Sequence, residues 1–133
     1  MNARRIANTV RLLDAEGTFG NALREAMRMQ KVTEDELAEY TGVSVKTISR
    51  YKNNPDARPD LATVTLLCLA LKLEPEISDV LLKFSGNLIP YDPDVTFCRE
   101  LIREKYTYSI DQIDQYLVEQ GASPLSKRNT LAQ

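Results

Sequence analysis

The 133-residue chain has no histidine and no tryptophan, only two cysteines, and five glycines. The missing histidine removes the commonest metal ligand and the commonest general base at neutral pH. Cys68 and Cys98 fall inside apolar helical patterns, where buried reduced thiols are expected rather than a disulfide. The carboxylates form no spaced pair in an apolar setting, and no glycine-rich phosphate loop occurs. The expectation is therefore no enzyme, no metal site and no cofactor. No apolar run approaches the roughly 20 residues of a membrane span, and no charged-apolar-small leader opens the chain. The expected location is the cytoplasm, with no membrane contact.

Charge of one sign is also lacking, since 17 basic side chains face 19 acidic ones. The local distribution says more. Residues 1–31 carry six basic and three acidic groups, and residues 43–58 carry Lys46, Arg50, Lys52 and Arg58 against Asp56. A phosphate backbone responds to such local patches rather than to the total.

What is present is helical periodicity, with starts and stops marked. Ile6, Val10 and Leu13 give residues 2–15 one apolar face, with Arg4, Arg5 and Arg11 on the wetter side. Thr18 is a cap for a helix to about Gln30, with the stripe Phe19, Leu23, Ala26 and Met27. Thr33 and Glu36 form a capping box for a helix to about Tyr40. Gly42 stands at a turn, and Ser44 caps a helix that ends at Asn53-Asn54-Pro55. Asp60 caps an apolar helix to about Leu73. Pro75 opens another to Phe84, stopped by Gly86. After the turn-rich segment 87–93, Asp92-Pro93 starts a helix to about Tyr106. Ser109 and Gln112 box the last one, which Gly121 stops. No strand, repeat or low-complexity block is apparent.

The chain is organised around Val32–Asn54. Two helices that cross closely need a small residue at the contact, and Ala38 supplies it. The turn needs positive φ, and Gly42 is four positions on. A branched apolar residue must pin the second helix, and Ile48 stands six beyond the glycine. Leu37, Val43 and Tyr51 complete the apolar set. Ala38, Gly42 and Ile48 together, with caps at Thr33 and Ser44, specify a helix-turn-helix.

Here T-E-D-E-L-A-E-Y-T-G-V-S-V-K-T-I-S-R-Y resembles the helix-turn-helix of the Xre/Cro, phage-repressor-like family. A-R-P-D-L-A-T-V-T-L-L-C-L-A-L-K-L resembles the loop and helix that follow it. The resemblance covers residues 19–86, about half the chain. It implies a five-helix DNA-binding domain at 18–86; the helical periodicity outside it makes the whole chain all-α, with an N-terminal amphipathic helix at 1–17 and a C-terminal helical hairpin at 87–121 that could serve dimerisation. Residues 122–133 are expected to be a flexible tail. The resemblance also implies a dimer on double-stranded DNA. Carried over position by position, base reading falls to Val45, Lys46, Ser49, Arg50 and Asn53. Phosphate contact falls to Ser44, Thr47, Lys52 and Arg58. Lys46 and Arg50 suit guanine O6 and N7, and Val45 suits a thymine methyl. On an ordinary helix the same cations would be a solvated face; the motif favours reading for Lys46 and Arg50.

Two departures stand out. The family commonly starts the first helix of the motif with a phosphate-contacting glutamine, where this chain has Glu34, followed by Asp35 and Glu36. Like charge disfavours the phosphate contact, while the helix dipole favours acids there. The family also often pairs an arginine with a glutamate where this chain has Met27 and Lys52. The expectation is apolar contact between Met27 and the Lys52 stem, with the ammonium left for DNA.

The apolar faces of 2–15 and 93–120 need cover, from the core, from each other or from a second chain. Tyr106, Tyr108 and Tyr116 form an aromatic cluster for core, rim or partner. Some repressors of this type carry a self-cleaving Ser/Lys peptidase; Ser126-Lys127 is a tail dipeptide and not such a dyad. The leading expectation is a dimeric, sequence-specific transcriptional repressor. The alternative is an antitoxin-like module whose terminal helices hold a protein partner while the same domain binds DNA. A third is the DNA-binding part of a longer protein.

Overall fold

Every helix start but that at Pro75 follows a side chain that caps it. The computed structural model describes residues 2–128. Among the described residues there are eight helices and no strand: α1 (Ala3–Asp14), α2 (Phe19–Gln30), α3 (Glu34–Thr41), α4 (Val45–Asn53), α5 (Leu61–Ala70), α6 (Pro75–Phe84), α7 (Pro93–Lys105) and α8 (Ile110–Glu119). Asn2, Thr18, Ser44 and Asp60 each accept a hydrogen bond from the amide three residues on. Thr33 with Glu36, and Ser109 with Gln112, form reciprocal capping boxes. Each cap satisfies a donor that the helix cannot, for about 1 kcal/mol.

α5 is the axis of the molecule. Every side chain from Thr63 to Ala70 is buried, which suits a helix apolar on all sides. It packs on α3, α6 and α7, while α2 packs on α4 and α6. The expected helix to Leu73 stops at Ala70, because Lys72 takes a left-handed φ of 53° without being glycine. The Lys72 ammonium donates to the carbonyls of Thr107 and Tyr108 in the turn between α7 and α8. Those charge-assisted bonds help hold an otherwise unfavourable backbone.

The outer helices cover themselves on the same core. α1 buries Ile6, Thr9 and Leu13, and runs beside α6. Ion pairs Arg5–Glu74 and Lys83–Asp14 sit at opposite ends, so the two helices lie parallel. Arg99 grips Asp79 with two bonds, Nε to Oδ1 at 3.0 Å and a terminal nitrogen to Oδ2 at 2.8 Å, tying α7 to α6. Leu101 and Ile102 of α7, and Ile110, Ile113 and Leu117 of α8, belong to one cluster with the core of α2–α6. Of the tyrosines expected to cluster, Tyr108 and Tyr116 both receive the Lys105 ammonium over their rings, and Tyr106 packs half-buried on the core.

Both cysteines are free and buried. Burial pushes the Cys68 thiol up to about 12 and raises that of Cys98 as well. The stretch read as a flexible tail is only partly within view, since residues 129–133 lie outside the described residues. Residues 122–128 run back across the fold, with Leu125 packed against the core and the Lys127 amide on the Thr41 carbonyl.

Two outcomes are expected. Leu117→Ala should cost about 2–5 kcal/mol and shift one cooperative transition of the whole chain; two separate transitions in calorimetry would contradict the shared core. Cys68 should resist a disulfide reagent at pH 8 in the native protein and react at once in denaturant. Rapid native labelling of Cys68 would contradict its burial.

Candidate nucleic-acid interface

α4 is positioned by α2 and α3. Ile48 is fully buried and Tyr51 half-buried, so the face carrying residues 48 and 51 points inward. Phe19 of α2 meets the Tyr51 ring edge-on, with centroids 6.4 Å apart. The approach between α2 and α4 is closest at Gly20. A Cβ there would lie 2.6 Å from the Lys52 carbonyl oxygen and 2.8 Å from that of Tyr51. Only glycine lets the two backbones come together this way.

With that face committed, the opposite one is turned outward. Ser44 accepts from the Thr47 amide, and its hydroxyl donates to the Thr47 hydroxyl at 2.9 Å. Val45 is 38% exposed. Lys46, Arg50 and Asn53 are exposed and Ser49 half-exposed. The Arg50 guanidinium lies 5.2 Å from the Tyr51 ring centroid, which steadies it over the helix surface. Arg58 is exposed in the loop after α4, one guanidinium nitrogen donating to the Pro55 carbonyl at 3.0 Å.

At the far end of α4, Arg24 closes a polar chain. Its guanidinium donates to Asn53 Oδ1 at 2.7 Å and to the Lys52 carbonyl at 3.3 Å, and Asn53 Nδ2 donates to Ser49 Oγ. A cation on the last carbonyls of a helix opposes the negative end of its dipole. Lys52 is the correction to the sequence reading. Its ammonium was expected free, and instead lies 2.7 Å from Glu34 Oε2, with side chains only 18% and 29% exposed. The first turn of α3 crosses the last turn of α4, so the two groups meet. Met27 is buried as expected, but no arginine–glutamate pair was needed where lysine and the other helix's glutamate could form one.

The chain is similar in sequence to known helix-turn-helix proteins. The family model described as "Helix-turn-helix" matches residues 23–77. The uncharacterized HTH-type transcriptional regulator RghRB of Bacillus subtilis (strain 168) is 32% identical over 107 residues, covering 80% of this chain and 71% of that protein. The HTH-type transcriptional repressor RghR of the same organism is 41% identical over 56 residues, 42% of each chain. No solved structure gives a significant match.

The chain belongs to the Xre/Cro-like helix-turn-helix family.

Within this helix-turn-helix, the structure gathers Val45, Lys46, Ser49, Arg50 and Asn53 on one side of α4, with Ser44 and Thr47 at its start. Arg58 sits in the adjoining loop, and Lys52 is turned aside into its pair with Glu34. Sequence reasoning missed Gly20 and Arg24. Their spacing of four on α2 puts them on one face, but nothing local says that α4 is what that face meets.

Gly20→Ala should destabilise by roughly 1–3 kcal/mol, because backbone and not a movable side chain opposes the new methyl. A neutral Gly20→Ala would refute the close approach. In a double-mutant cycle on urea stability, Glu34→Gln and Lys52→Met should couple by about 1 kcal/mol. Simple additivity would show the pair to be unimportant.

Proposed function

We propose that the chain is a sequence-specific DNA-binding transcriptional regulator that acts as a dimeric repressor and reads the major groove with α4. One observation carries the reading: the only face of α4 not taken up by α2, α3 and the core is the one bearing Val45, Lys46, Ser49 and Arg50. A helix of this size fits the major groove, and its first residues reach base edges. Arg50 and Lys46 donate to guanine, and Val45 meets a thymine methyl. Asn53 borders the site, with Oδ1 already engaged by Arg24. Ser44, Thr47 and Arg58 hold phosphates.

Lys52 is left out of the phosphate set, since its charge is met by Glu34. The same pairing neutralises the acid that would repel DNA at the start of α3. The names of the two relatives support regulation, and that of RghR supports repression. A dimer would place two copies of α4 about 34 Å apart on one side of the duplex.

Selection from random DNA should enrich a two-fold symmetric site with half-sites about one turn apart. Arg50→Ala should cost about 1–3 kcal/mol on that site and relax preference at one base pair per half-site. No enriched site for the parent would overturn the regulator reading and favour the protein-partner alternative. An enriched site indifferent to Arg50→Ala would overturn the residue assignment alone.

A further inference from the structure

Beyond α8, residues 122–128 do not trail away. The chain turns at Gly121 and runs back to the helix-turn-helix. Asp114 of α8, 1% exposed, accepts from the amides of Leu125 at 2.7 Å and Ser126 at 3.3 Å. A buried carboxylate needs such donors, so the strap and α8 require each other. The Lys127 amide donates to the Thr41 carbonyl at 2.6 Å, at the last residue of α3. Arg128 pairs with Asp111 at 2.5 Å. Its backbone, with that of Lys127, occupies the space a Cβ on Gly42 would need. Gly42 therefore serves twice, for its φ of 78° and for this close passage.

The strap thus ends at the turn that leads through Val43 into Ser44, the cap of α4. The Lys127 side chain is exposed there and makes no ion pair among the described residues. Asp60 caps α5 directly after the Arg58 loop. Its carboxyl is held below the usual range by hydrogen bonds from Thr63 and, to a smaller extent, by the charge of Lys127. Lys127, exposed, therefore stands beside the turn that enters α4, where the strap backbone packs on Thr41 and Gly42.

We infer that the strap 122–128 is part of the DNA-binding surface and presents Lys127 to a phosphate flanking the base pairs under α4. The inference rests on the DNA-binding reading above. It adds a contact from the far end of the chain, outside the 23–77 match. Lys127 gives affinity without base preference, as a phosphate contact does. Asp114 is a positioning residue, acting through the strap.

The test uses the full chain and the duplex selected with the parent protein. Lys127→Ala should weaken binding about threefold at moderate salt, lower the slope of log affinity against log salt by about one, and leave base preference intact. Melting should not change. Lys127→Arg should restore the slope. Asp114→Ala, which frees the strap, should lower the slope equally, and adding Lys127→Ala to it should do nothing more. An unchanged slope for Lys127→Ala would overturn the inference while Arg50→Ala still showed base reading. Tighter binding by Asp114→Ala would also overturn it, making the strap an obstruction. A parent that selects no site would remove both readings, before any strap variant is made.

Discussion

Two helices approach no nearer than the side chains between them permit, and at Gly20 there is no side chain. The carbonyl oxygens of Tyr51 and Lys52 lie where a methyl would be. That contact sets the depth and rotation of α4 against α2. Once it is made, Ile48 and Tyr51 must face the core, and Val45, Lys46 and Arg50 must face out. The polar chain from Arg24 through Asn53 to Ser49 depends on the same approach, since Arg24 stands one turn along α2 from the glycine.

Charge follows from this placement. Three acids open α3, where the helix dipole welcomes them. One of them, Glu34, meets Lys52 across the crossing. Two side chains that would act oppositely on a polyanion cancel each other. The outward cations that remain on α4 and in the loop after it are Lys46, Arg50 and Arg58. A chain that is acidic in total can thus present a basic surface in one place.

The outer segments serve the inner ones. The apolar stripes of α1, α7 and α8 end in the same cluster as α2–α6, so the fold is larger than the helix-turn-helix motif. The strap extends this economy of contacts to the turn itself, where the main chain of Lys127 and Arg128 packs on Gly42. A buried carboxylate on α8 fixes the strap, and through it α8 is connected to the turn that precedes α4.

The sequence by itself determined the helices, most of their caps, and the motif at Val32–Asn54. Each depends on residues within one or two turns of each other: a cap reads three positions ahead, and an apolar stripe repeats every three or four. It also marked the outward positions of α4, because Ile48 fixes the phase of that helix. Tertiary structure alone decided the rest. Gly20 reads locally as a weak point in a helix, and only the opposing backbone makes it a requirement. Glu34 and Lys52 stand 18 residues apart, Arg24 and Asn53 29, and Thr41 and Lys127 much further. Such pairs form where packed helices bring them, and caps and apolar stripes do not record which side chains will meet across a contact.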